Sequence, residues 1–186
     1  DTLSINDTLT TGFDDPYNLS GSTFQRTAIG TITYSGIDSL GITAETTNNA
    51  INITGTSAPT SFDAGDGNDN FLITNGDLLD NIDGSLTVFG GSGTDTLRVH
   101  DSLSGSAMTF DGTNISRSGV TIVLGTSGGT VINAVSIQSG SGADSLNASP
   151  FTTGPVTLQS NNGNDTLRGT TSSDYLDAAG GTDSLL

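Results

Sequence analysis

Residues 161–186 read NNGNDTLRGTTSSDYLDAAGGTDSLL. Asp-x-Leu occurs three times in this stretch, at Asp165/Leu167, Asp174/Leu176 and Asp183/Leu185, and the aspartates are nine residues apart (174 − 165 and 183 − 174). Gly, Asn, Ser and Thr fill the intervals, and these are the residues of tight turns. A chain that returns at fixed phase to an acid and then an aliphatic, with turn formers between, reads as a series of short repeated strands.

The same turn recurs upstream, in DAGDGNDNF (63–71), GGSGTDTL (90–97), SGSGADSL (139–146) and NNGNDTL (161–167). Its key aspartates are Asp69, Asp95, Asp144 and Asp165, separated by 26, 49 and 21 residues. A longer period lies above this one. DTLSINDTL at Asp1 resembles DTLRVHDSL at Asp95, and YNLSGSTFQR from Tyr17 aligns with MTFDGTNISR from Met108, which sets Arg26 on Arg117. Asn49 then falls on Asp144, and Asp69 on Asp165. The expected organisation is two units of roughly 95 residues, about 1–94 and 95–182, with the last residues beginning a further one.

Hydrophobic residues make up 32% of the 186 and aromatics 5%, with 26 glycines, so one large central core is not expected. No stretch carries a helical apolar period, whereas runs such as GTITYSGI and GVTIVLG alternate as strands do. The chain reads as all-β. Its expected architecture is a right-handed parallel β-helix, a β-solenoid of about 20–26 residues per coil, shading into a β-roll at the C-terminus. Alternation along each strand would turn Leu97, Val99, Leu146, Leu167, Leu176 and Leu185 inward, and Thr96 and Arg98 outward. Stacking should also align Asp69, Asp95, Asp144 and Asp165 along one common axis. The rival architecture is a pair of tandem immunoglobulin-like β-sandwiches, one per unit.

Charge narrows the function. Twenty acids face four arginines and no lysine, for a net charge of −16, and only Glu45 among the acids is not aspartate. Binding to a phosphate backbone needs Lys and Arg and is excluded; docking on anionic membranes is disfavoured. The absence of cysteine removes disulfides and thiolate metal sites, and the single His100 removes a multi-histidine site within one chain. Stacked carboxylates about 5 Å apart repel unless protonated or bridged, and a hard divalent cation with oxygen ligands bridges them. The densest local set is Asp63, Asp66 and Asp69. The competing role for each aspartate is to cap its own turn, and for the isolated turns that is the preferred reading.

The C-terminal stretch resembles the nonapeptide repeats of RTX (hemolysin-type calcium-binding) proteins, G-G-x-G-x-D-x-(aliphatic)-x. Asp165, Asp174 and Asp183 take the sixth position and Leu167, Leu176 and Leu185 the eighth, with Gly163 and Gly181 at the fourth, where Ser172 departs. Gly90, Gly91, Gly93, Asp95 and Leu97 give the best single match. The resemblance implies Ca²⁺ between turns of successive coils, held by repeat aspartates and turn carbonyls, with Asp165 and Asp183 flanking one site. The implied ligands are Asp63, Asp66, Asp69, Asp95, Asp144, Asp165, Asp174 and Asp183. The glycines that would lend carbonyls are Gly65, Gly67, Gly91, Gly93, Gly140, Gly142, Gly163 and Gly181. The earlier residues resemble the repetitive β-helical regions of large bacterial surface proteins.

Parallel β-helices also include polysaccharide lyases and hydrolases, but the cationic candidates Arg26, Arg98, Arg117 and Arg168 follow the repeat and read as scaffold. No acid or base breaks the repeat, and no tryptophan offers a sugar platform. The expected function is therefore non-catalytic: a secreted, extracellular or cell-surface repeat protein, adhesive or filamentous, and stabilised by Ca²⁺. Its expected partners are further copies of itself through the solenoid ends and cell-surface polysaccharide, with no nucleic acid and no membrane insertion. The alternative is a β-helical carbohydrate-active enzyme or polysaccharide-binding module.

Overall fold

The computed structural model of the chain describes residues 1–8, 16–26, 30–74, 79–126 and 131–186. In chain order the first strands are β1 (Thr2–Asn6), β2 (Tyr17–Leu19), β3 (Thr23–Arg26), β4 (Gly30–Thr33), β5 (Ser39–Thr43) and β6 (Ala50–Ile53). Next come β7 (Thr60–Asp63), β8 (Asn70–Ile73), β9 (Gly84–Phe89), β10 (Thr96–His100), β11 (Met108–Phe110), β12 (Asn114–Arg117) and β13 (Val120–Leu124). The last are β14 (Ala134–Gln138), β15 (Ser145–Asn147), β16 (Val156–Asn162), β17 (Thr166–Arg168), β18 (Tyr175–Gly180) and β19 (Ser184–Leu185). One 3₁₀ turn, Leu79–Asn81, is the helical content of the described residues.

The strands form two mixed sheets. One runs β1-β5-β7-β9-β13-β12-β11-β15-β17-β19 and the other β18-β16-β14-β10-β8-β6-β2-β3-β4. From β5 to β10, and again from β14 to β19, the chain visits the two sheets alternately. Each visit adds a strand parallel to the previous one in that sheet. One strand from each sheet makes a rung. Leu40 pairs with Thr60, 20 residues on; Thr60 pairs with Leu86, 26 on; and Leu167 pairs with Leu185, 18 on. Among the described residues antiparallel pairing is confined to two meanders, β2–β3–β4 and β11–β12–β13.

Two expectations need correction. The parallel pairing and the two sheets shared by all the described strands rule out tandem immunoglobulin-like sandwiches, whose sheets are antiparallel and separate. The coil length also leaves the expected range where a meander is inserted: β1 pairs with β5 with Leu3 opposite Leu40, 37 residues on. The meanders begin 91 residues apart, at Tyr17 and Met108, but the first lies in the β18-to-β4 sheet and the second in the β1-to-β19 sheet.

A thin core lies between the sheets. Leu19, Ile53, Ile73, Val99, Ile137, Leu158 and Leu176 stand in one register row across seven strands, with all but Leu176 buried. Tyr17, Phe62 and Phe71 fill its widest part edge to face, at 5.9 and 5.7 Å between ring centroids. Leu97, Val99, Leu146 and Leu167 are buried as the alternation requires, and Arg98 and Thr166 point outward. Leu176 is only half-buried and Leu185 is 51% exposed, because β18 and β19 are edge strands with a neighbour on one side.

Candidate metal-binding turns and their carboxylate files

Six-residue turns join the sheets at 44–49, 64–69, 90–95, 139–144 and 169–174, and each ends on Asn or Asp immediately before a strand. That position puts the side chain of the sixth residue at the sheet edge, directed at the backbone of the adjoining rung. Asn49 N–H donates to Asp69 Oδ1 at 2.7 Å, Asp69 N–H to Asp95 Oδ1 at 2.9 Å, and Asp95 N–H to Asn133 Oδ1 at 2.7 Å. On the opposite edge Met108 N–H donates to Asp144 Oδ1 at 2.7 Å. Asp144 N–H donates to Asp165 Oδ1 at 2.9 Å, and Asp165 N–H to Asp183 Oδ1 at 3.0 Å.

The aspartates thus form two files, not one. Asp69, Asp95 and Asp174 precede strands of one sheet, whereas Asp144, Asp165 and Asp183 precede strands of the other. The expected common axis through Asp69, Asp95, Asp144 and Asp165 is corrected accordingly. Its cause is the odd number of sheet visits between Asp95 and Asp144: β10, the β11–β13 meander and β14 carry the chain from one edge to the other. Asp165 and Asp183 do follow one another in a single file, and Asp174 lies on the other edge.

Self-capping is real at some turns and absent at others. Asp63 Oδ1 accepts Gly65 N–H at 3.2 Å, Asp144 Oδ2 accepts the Ser139 hydroxyl at 2.6 Å, and Asp174 Oδ2 accepts Thr170 N–H at 2.6 Å. By contrast Asp69 Oδ2, Asp95 Oδ2 and Asp165 Oδ2 are buried and have no hydrogen-bond partner. A buried carboxylate oxygen without a partner is costly. Burial pushes the Asp69 carboxyl up to about 7, against the hydrogen bond from Asn49, and the neighbouring charges of Asp95 and Asp63 push the same way. Burial raises Asp95 and Asp144 too, with the Ser139 hydroxyl opposing it at Asp144.

The glycines let successive turns lie directly on one another. A Cβ on Gly91 would stand 1.5 Å from Gly65 O, and one on Gly181 would stand 1.4 Å from Gly163 O. Gly93 approaches Gly67, Gly163 approaches Gly142, and Gly140 approaches Ser104 in the same way. Turn carbonyls of adjacent rungs are therefore stacked closely in the turns that carry these aspartates, and both groups are oxygen donors of the kind a hard cation takes. Asp63, Asp66 and Asp69 do not converge: Asp63 is half-buried, Asp66 is exposed and Asp69 is buried. Among the described residues no three His, Cys, Asp or Glu side chains gather into a metal-holding group, so backbone carbonyls would have to complete any site.

Sequence reasoning missed a second ladder that runs the other way. Asn68 N–H donates to Asn48 Oδ1 and Thr94 N–H to Asn68 Oδ1, each at 2.8 Å, and Thr182 N–H donates to Asn164 Oδ1 at 2.9 Å. The signal lay in the Asn that precedes the key residue in Asn48-Asn49, Asn68-Asp69 and Asn164-Asp165. It also missed the buried pairing of Arg26 with Asp7 and Glu45, beneath which the Tyr17 ring lies 5.0 Å from the guanidinium carbon. Arg117 is buried likewise against Asp101 and Asp80, at 2.9 and 2.6 Å. Both arginines are scaffold in the structure as in the sequence reading.

Residues 157–186 match the family model of the RTX calcium-binding nonapeptide repeat, in four copies. Repeats of this type bind Ca²⁺ and are typical of secreted proteins. No curated protein and no solved structure matches the chain. No helix of the described residues is long and apolar enough to cross a membrane.

Proposed function

We propose that this chain is a non-catalytic, calcium-stabilised structural segment of an extracellular surface protein, wound as a right-handed parallel β-solenoid. Asp165 carries the reading. It lies within the matched repeat, its Oδ1 ties two rungs together, and its buried Oδ2 has no partner. A cation between stacked turns would complete that oxygen and relieve the charge of the file. Asp165, Asp183 and the carbonyls about Gly163 and Gly181 would hold it, and its chemistry would be neutralisation and cross-linking of rungs. Asp95 with Gly91 and Gly93 is the corresponding set on the other edge.

Two units of about 95 residues account for the recurrence of strand positions. Among the described residues each unit carries seven visits to the sheets, an odd number, so the second copy begins in the opposite sheet. That parity explains why the Tyr17 and Met108 meanders face opposite ways. Edge strands at both ends of each sheet offer unpaired backbone to further copies, which favours a filament, stalk or adhesin.

Thermal unfolding of the full chain with Ca²⁺ and with a chelator tests the proposal. Calcium should raise the midpoint by many degrees, as mass action requires of a ligand bound only to the folded state. Equal midpoints in the two conditions would remove the calcium role.

A further inference from the structure

On the outer face of the β18-to-β4 sheet lies a trough of about 600 Å³, and it meets the candidate metal-binding turns only at Ser173 and Asp174, at its β18 end. Its floor follows one register row: Tyr175 on β18, Thr157 on β16, Ser136 on β14, Arg98 on β10 and Leu72 on β8. Three strand steps separate Arg98 from Tyr175, about 14 Å at ~4.8 Å per step. Small hydroxyl residues lie between two long side chains, and that contrast makes the concavity.

The two ends differ in chemistry. The Arg98 guanidinium is exposed and makes no ion pair or hydrogen bond with any described residue, in a chain of net charge −16. Arg26 and Arg117, whose side chains are buried, are engaged by Asp7 and Glu45 and by Asp101 and Asp80. A fork of free donors at the end of a groove suits a planar carboxylate. Tyr175 is 55% exposed, with its hydroxyl donating to Asp177 Oδ2 at 3.3 Å, so its ring is free to stack. Asp174 beside it is already engaged by Thr170 and Val156 N–H. These acids stand about 14 Å from Arg98, beyond the ~8 Å screening length of physiological salt, so they do not repel an anion bound there.

We propose that this trough binds a short acidic saccharide, with a uronate carboxylate on Arg98, ring hydroxyls on Ser136 and Thr157, and a sugar face stacked on Tyr175. The span fits two to three pyranose rings, and a peptide would leave the hydroxyl floor unused. The proposal does not rest on the calcium reading, although the test is run on the Ca²⁺-saturated full chain.

Trigalacturonate is titrated into the protein calorimetrically, with cellotriose as the neutral control and tri-aspartate as the acidic peptide control. Saturable binding of trigalacturonate, about tenfold or more tighter than either control, is expected. Arg98→Gln should weaken it about tenfold, and Tyr175→Ala should weaken it several-fold. Both side chains point to solvent, so the variants should keep the wild-type circular dichroism and melting point. Four results would each overturn the proposal: no binding, equal binding of cellotriose, equal binding of tri-aspartate, or undiminished trigalacturonate binding by Arg98→Gln. The last would assign the saccharide to calcium at the acidic turns instead.

Discussion

Asp95 Oδ1 accepts the backbone N–H of Asp69 at 2.9 Å, across 26 residues of sequence. The bond joins two rungs through a side chain at a level where the strand ladder has not yet begun. Repeated at Asp69, Asp144, Asp165 and Asp183, it makes the turn aspartate an inter-rung strut. The struts stabilise the edges of a molecule whose core is too thin to fix them by packing alone.

Removing a strut should cost stability in a way that depends on the oxygen and not on the charge. Asp95→Ala leaves the buried Asp69 N–H without its acceptor and is expected to lose about 1–3 kcal/mol. Asp95→Asn keeps Oδ1 and should cost much less, since Asn49 and Asn133 occupy equivalent places in the same file. Urea unfolding of both variants measures the difference.

The calcium-free protein should become less stable as pH rises toward neutrality. Asp69 has a folded pKa of about 7, above its ordinary value near 3.8. Between those values the folded state holds a proton that the unfolded chain has released, so this contribution is complete at the acid end and disappears through pH 7. Asp95 and Asp144 shift in the same direction and add to it. Melting points in chelator from pH 5 to pH 8 should fall, and Asp69→Asn should flatten the decline.

Close stacking of turns makes two glycines with similar backbone behave differently. Gly91, at φ +87°, has no room for a Cβ because Gly65 O would lie 1.5 Å away, and Gly91→Ala should cost about 2–5 kcal/mol. Gly119, at φ +81°, has nothing within 4 Å, and Gly119→Ala should cost only the backbone strain of about 1–2 kcal/mol. Paired denaturation curves test the contrast.

The buried cation should be structurally indispensable. Arg26→Met strands Asp7 and Glu45, both almost fully buried, and is expected to lose about 3–5 kcal/mol. A variant within 1 kcal/mol of wild type by chemical denaturation would show that the acids can be protonated or rehydrated at little cost.

Much of this was legible in the sequence because strand alternation and turn composition are local. Leu97 and Val99 had to point inward once Thr96-to-His100 was a strand, and Asp-x-Leu marked where each rung resumed. The assignment of a turn to one edge or the other was not local. Asp95 and Asp144 carry the same motif, yet three sheet visits lie between them (β10, the β11–β12–β13 meander and β14), and that odd number sets Asp144 in the opposite file. Nor does the motif say what an aspartate bonds to. Asp144 meets the Ser139 hydroxyl because residue 139 begins its turn with serine, whereas Asp95 meets Gly90 there and keeps a bare oxygen.

Calorimetric titration of the full chain with Ca²⁺, for wild type and for the Asp165→Asn/Asp183→Asn double variant, bears most directly on calcium bridging the stacked turns. Asparagine keeps the inter-rung hydrogen bonds and removes only the charge. The expected result is saturable binding by the wild type, with loss of at least one site in a double variant that still folds. Identical stoichiometry and affinity in the two proteins, or no binding by either, would contradict it.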